Sequence, residues 1–226
     1  MATDVWVTSS SNSNSRSTHF RRKVKRLERD ILRMGALVEQ SCRLSHQALF
    51  YRDLSSAQAI ALLDKQIDRF YKEIESDCVV LMTLQAPAAI DSRLIGAFMQ
   101  LVRDLERIGD YAQDIAELAV KLFPYPTHEC MLQIEEMAHQ VQAMLAASLV
   151  ALADLDAESG KRIKELDTIV DEAYDRLYDR LAHQRDVKGV VEPLLLLALV
   201  IRHLERMADH ATNIGQRVAY IVNGHR

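Results

Sequence analysis

From Phe20 onward, apolar residues return every three or four positions with scarcely a break, which is the period of a buried helix face. Val24, Leu27, Ile31, Met34, Val38 and Cys42 make the first stripe, predicting a helix over about Phe20 to Phe50. Ser55 has Gln58 three residues later, the spacing of a capping box that opens a second helix. That helix carries Ile60, Leu63, Ile67, Phe70, Ile74, Cys78 and Leu81, and Pro87 closes it. A third carries Leu94, Phe98, Leu101, Leu105, Ile108, Ala112, Ile115, Ala119 and Leu122. Its steps alternate strictly between four and three, the register of a bundle seam.

Phe123-Pro124-Tyr125-Pro126 is the one two-proline punctuation, and the boundary between halves is placed there. Beyond it the same periodicity predicts helices over about His128 to Leu155, about Lys161 to Gln184, and from Pro193 onward. The last carries Leu197, Val200, Leu204, Met207, Ala211, Ile214, Val218 and Ile221. The expected fold is all-α: two tandem, similar three-helix bundles over residues 19–123 and 127–226. A Ser/Asn-rich tail over residues 1–18 reads as disordered. With 7 Gly and 4 Pro in 226 residues, a turn-rich β architecture is disfavoured.

Composition also narrows the function. A net charge of −4 gives no reason to expect a nucleic-acid partner. Cys42, Cys78 and Cys130 are scattered without a CxxC pair, which fits a reducing compartment and excludes a thiolate metal knuckle. The apolar run Leu194–Ile201 is far shorter than the roughly 20 residues a bilayer span requires. No apolar signal segment stands near the N-terminus. A soluble cytoplasmic protein is expected.

The halves resemble each other in their acids. Leu63-Asp64-(x3)-Asp68-(x2)-Tyr71 reappears as Leu166-Asp167-(x3)-Asp171-(x2)-Tyr174. Arg103-Asp104-Leu105-Glu106-Arg107-Ile108-Gly109-Asp110 reappears as Arg202-His203-Leu204-Glu205-Arg206-Met207-Ala208-Asp209. Residues four apart share a helix face, so each motif presents two carboxylates side by side. At about 100° per residue, Glu106 and Asp110 point roughly 130° and 170° from the Leu101/Leu105/Ile108/Ala112 seam. Asp64 and Asp68 lie roughly 85° and 125° from theirs. The acids are therefore expected on the outer surface, where flanks of neighbouring helices bring two pairs together.

A single acid pair on a charged helix is ordinarily a solvated face, with neighbouring arginines offsetting a repulsion of about 0.2–0.5 kcal/mol. Four pairs at matching places point instead to metal binding. Oxygen-only ligands favour hard ions such as Mg²⁺, Ca²⁺, Mn²⁺ or iron over structural zinc. Repulsion among several carboxylates makes a multinuclear cluster reasonable, in a structural or sensing role.

These doubled motifs, L-D-(x3)-D on one helix and L-E-R-(I/M)-(G/A)-D on the next, resemble the PhoU family of phosphate-signalling proteins. The resemblance runs from about Phe20 to Arg226 and includes Met34-Gly35 and the ending Tyr220-Ile221-Val222-Asn223-Gly224. It implies paired three-helix bundles with multinuclear iron or zinc clusters on E/D-x3-D motifs. The implied ligands are Asp64, Asp68, Glu106 and Asp110 in one half, and Asp167, Asp171, Glu205 and Asp209 in the other. Family members often have Asn four residues after the last acid. Asn213 keeps it and Asp114 replaces it, so both are possible additional ligands and the two sites are expected to differ.

The resemblance further implies a non-enzymatic negative regulator of the phosphate-starvation response. It would link the ATPase subunit of a phosphate ABC transporter to a sensor histidine kinase and meet the membrane only through such partners. A homodimer is the expected assembly. The competing readings are a metal-dependent phosphohydrolase, since two-metal sites cleave phosphate esters, and a helical scaffold without metal. No nucleophile elbow, phosphate loop or H-E-x-x-H motif is present. Glu136-(x2)-His139 is read as an ordinary exposed pair, because a di-iron bundle needs two such copies. His203 and His210 flank the second acid motif and are weighed as late ligands. Arg16, Arg21, Arg22, Lys23, Lys25 and Arg26 read as a solvated basic patch, the alternative being a docking surface for anionic lipid or an acidic partner.

Overall fold

The structure, a computed structural model, describes residues 14–85, 89–184 and 189–224. It is all-α, with α1 (Asn14–Tyr51), α2 (Leu54–Gln85), α3 (Ala89–Leu122), α4 (Met131–Asp154), α5 (Ala157–Ala182) and α6 (Glu192–Asn223). No strand occurs among the described residues. Residues 1–13 of the expected tail, and Pro87, lie outside the described residues. Residues 14–18, read as tail, already belong to α1.

The second helix starts differently from the expected capping box. Asp53, rather than Ser55, is its cap: Oδ1 accepts from the Ser55 N–H at 2.9 Å and Oδ2 from the Ser56 hydroxyl at 2.6 Å. These donors hold the Asp53 carboxyl down at about 2. Asp156 repeats the device at the start of α5, accepting from the Glu158 and Ser159 N–H groups at 3.0 and 3.1 Å. Gly160, just before the expected start at Lys161, therefore lies inside the helix. Each cap follows a left-handed residue, Arg52 at φ 55° and Leu155 at φ 52°. The same tight turn thus joins the first two helices of each half.

Within each half the three helices pack on one another, and the halves meet along α3–α6 and α1–α4. The helices α2 and α5 touch only their own half. The core includes fully buried Phe98, Leu101, Leu105 and Ile108 on α3, and Val200, Ala211, Ile214 and Val218 on α6. Full burial of each large apolar side chain contributes about 1.5–3 kcal/mol. All three cysteines are free and buried; burial pushes the Cys42 and Cys78 thiols up to about 12. No helix among the described residues is long and apolar enough to cross a membrane.

Two local features position the halves. The backbones of α5 and α6 approach so closely at Gly160 and Gly215 that a Cβ on Gly160 would lie 2.5 Å from the Gly215 carbonyl oxygen. Arg52 reaches the proline-rich linker, donating from Nη1 to the Phe123 carbonyl at 3.2 Å and from Nη2 to that of Tyr125 at 2.6 Å. The Tyr125 hydroxyl in turn donates to Glu192 at the start of α6.

Candidate metal centre

Asp64 and Asp68 stand one turn apart on α2, and Glu106 and Asp110 one turn apart on α3, where the two helices pack together. The charges of Asp64 and Asp68 act on both α3 acids. Burial first, then repulsion from Glu106, Asp64 and Asp68, pushes the Asp110 carboxyl up to about 6, with Arg107 opposing. Burial, with the neighbouring acids adding, also raises Glu106 and Asp64. Arg107 bridges its own helix's pair, lying 3.5 Å from Glu106 and 3.2 Å from Asp110.

The second half repeats the arrangement with α5 and α6. Burial and the charges of Asp167 and Asp209 raise Asp171, while burial and then Asp209 raise Glu205. Arg206 bridges Glu205 at 3.7 Å and Asp209 at 3.3 Å. One cation is particular to this half. The Lys164 ammonium lies 2.6 Å from Asp167 Oδ2 and also feels Asp171 and Asp209. The matching place in the first half is Ala61. Lys164 sits three residues before Asp167, on the same helix face, and that spacing could have revealed it.

The expected outward direction holds for Asp171, which is exposed, and for the half-exposed Asp68 and Asp209, but not for three of the acids. The Glu106 side chain is 17% exposed and that of Glu205 14%, while Asp167 is buried outright. The angular estimate took one apolar seam as the whole core. Yet α3 packs against α1, α2 and α6, and α6 against α3, α4 and α5, so directions away from one neighbour lead to the flank of another.

The additional candidates also meet the α3–α6 contact. Asp114 is half exposed; its charge reaches Asp64, and His203 lies 3.9 Å away across the α3–α6 contact. Asn213 donates to Asp104 at 3.5 Å, and His210 Nδ1 stands 2.8 Å from the same carboxylate oxygen. The two histidines weighed as late ligands therefore face the other half, and antiparallel α3 and α6 pair Asp114 with His203 and Asp104 with His210 along their middle stretches. Asp104→Ala strands His210 and Asn213 and is expected to cost about 1.5–3 kcal/mol, read as a lower urea midpoint.

By donor chemistry both quartets suit a cation that prefers oxygen, although among the described residues the one group of three or more His, Cys, Asp or Glu side chains already gathered closely enough for a single ion lies elsewhere. All eight donors are carboxylates, and the buried Asp167 keeps one oxygen, Oδ1, without a hydrogen-bond partner. An unsatisfied buried carboxylate oxygen is costly without a cation or donor. Asp64, Asp68, Glu106 and Asp110 would hold one group, and Asp167, Asp171, Glu205 and Asp209 the other, supplying charge neutralisation between helices.

Fold and seams together define a duplicated helical-bundle protein with an acidic ladder in each repeat. The model of the PhoU domain matches twice, over residues 31–119 and 134–218. The chain is 61% identical, over 95% of its length and 96% of the relative's, to the phosphate-specific transport system accessory protein PhoU homolog of Synechocystis sp.. The correspondingly named protein of Pseudomonas aeruginosa is 31% identical over 92% of this chain and 87% of its own. Among solved structures, PhoU from Pseudomonas aeruginosa superimposes with a TM-score of 0.84 at 31% identity, covering 91% of this chain and 99% of that one. The phosphate transport system regulatory protein PhoU from Streptococcus pneumoniae gives 0.83 at 28% identity, covering 91% and 98%. This chain belongs to the PhoU family.

Proposed function

We propose that the chain is a cytoplasmic, non-enzymatic accessory protein of phosphate uptake that restrains the phosphate-starvation response. In this reading it links the ATPase subunit of a phosphate ABC transporter to a sensor histidine kinase, and works as a homodimer. The observation that carries the reading is the 61% identity over 95% of the chain to a relative named as a phosphate-transport accessory protein. The two acidic seams support a second element, a structural or sensing cluster of iron or zinc, with Mg²⁺, Mn²⁺ or Ca²⁺ as alternatives. Their carboxylates lie between helices, so a bridging cation would set how tightly α2 packs on α3 and α5 on α6.

The test is affinity capture with the full chain as bait, in cells grown in phosphate-replete medium. The transporter ATPase and a histidine kinase are expected among the captured proteins, and deletion of the gene is expected to derepress phosphatase activity. Capture of neither partner, with unchanged phosphatase activity in the deletion strain, overturns the reading.

A further inference from the structure

The α1–α4 contact holds a polar cluster unlike the acidic seams. His46 of α1 faces Glu135 and His139 of α4, and one ligand atom from each lies within 4.8 Å of the others. It is the one such trio that the fold assembles among the described residues. Glu135 and His139 stand four apart and share a helix face. Glu136 and His139, expected as an ordinary exposed pair, are both exposed; the acid that joins His139 here is Glu135.

His46 is the informative member. Its side chain is 10% exposed, and Nε2 stands 3.4 Å from Glu135 Oε1 without making a hydrogen bond to any group. The His139 ring stacks on it at 4.8 Å between centroids, and Phe50 lies against it at 4.6 Å. A buried nitrogen without a hydrogen bond, a carboxylate oxygen 3.4 Å away and a second imidazole beside it are three donor groups of the kinds that bind borderline metal ions. Burial and the nearby His139 hold the His46 imidazole below its ordinary value, with the Glu135 carboxylate opposing.

We infer that His46, Glu135 and His139 form a divalent transition-metal site fastening α1 of the first repeat to α4 of the second. Two imidazoles and one carboxylate suit Zn²⁺ or a similar borderline ion, leaving a fourth position for water. Ligand distances of about 2.0–2.2 Å require the ligand atoms to draw in from their present 4.8 Å spread, and the exposed His139 ring, now stacked on His46, to turn so that both imidazole lone pairs point at one ion. The helices are already pinned one turn away, where the Gln142 amide donates to the Cys42 carbonyl at 3.3 Å. Helix packing alone does not demand this trio. At the corresponding contact on the other side of the repeat, Leu149 rests against Gly35 instead.

The site is chemically separate from the acidic seams and stands or falls apart from the proposed function. The experiment titrates the metal-free full chain with Zn²⁺ against a chromophoric competitor and follows the thermal midpoint. The variants are His139→Ala, His46→Gln and the double variant Asp68→Asn/Asp110→Asn. His139 is exposed, so its variant is expected to fold even where the change at the more enclosed His46 does not. The wild type and the acid double variant are expected to show the tight Zn²⁺ uptake and its accompanying thermal shift. Both histidine variants are expected to lose about one equivalent and that shift. Unchanged uptake and shift in His139→Ala overturn the site, as does their loss in the acid double variant with retention in His139→Ala.

Discussion

Gly160→Val is expected to lower the stability of the chain by at least about 3 kcal/mol, the upper range for overpacking a close contact. The reason is the clash between backbones. A Cβ at Gly160 lies 2.5 Å from the Gly215 carbonyl oxygen, and one at Gly215 meets the Gly160 oxygen at the same distance. A flexible side chain could turn aside, but a helix backbone carbonyl cannot without breaking its own ladder. The crossing of α5 and α6 must open, and with it the contact that holds Asp167 and Asp171 beside Glu205 and Asp209. Urea denaturation checks the stability. A midpoint within error of the wild type would show that the helices do not approach this closely in solution.

The second large effect changes sign with metal. For Asp68→Asn/Asp110→Asn, the metal-free protein is expected to be more stable than the wild type at neutral pH and less responsive to divalent ions. The folded state raises Asp110 to about 6 from an ordinary 3.8, so it holds the proton more tightly than the unfolded chain does. That contribution to stability is greatest below the ordinary value and disappears as pH rises through about 6. With the Asp110 side chain 35% exposed, solvent screening reduces the gain from neutralising it to about 1 kcal/mol. Glu106 and Asp64 are raised for the same reasons and act in the same direction.

An ion at a hundred times its dissociation constant stabilises the wild type by about 2.7 kcal/mol. The first seam of the double variant loses that benefit. Lys164 already neutralises part of the second seam, so that half is expected to need more metal for occupancy. Thermal unfolding at pH 5 and pH 7.5, with and without Mn²⁺ or Fe²⁺, separates these cases. Equal metal stabilisation of wild type and variant would remove the first quartet as a binding site.

The helix count and the duplication were legible because the alternation of four and three survives on α3 and α6, whose seams carry much of the core. The acid motifs were legible for a similar reason, since both members of each pair fall on one face. The depth of Glu106, Glu205 and Asp167 was not. Leu101, Leu105, Ile108 and Ala112 mark the centre of a face that three neighbours share, and a single strand of periodicity does not reveal how many partners it has. The α2 cap was missed by two positions because Ser55 and Gln58 imitate the spacing that Asp53 fulfils after the left-handed Arg52. His203, His210 and Asp104 gained their roles only when α3 met α6, a contact between residues about a hundred positions apart in the chain.

Arg52 gives the chain's order of synthesis a physical meaning. Its guanidinium grips the carbonyls of Phe123 and Tyr125 from the turn between the first two helices, all within the part that leaves the ribosome first. The leading half can therefore dock the passage to the trailing half before the latter is complete. The later helices then start from a linker already tied to the first half, which narrows the ways in which two similar repeats can meet.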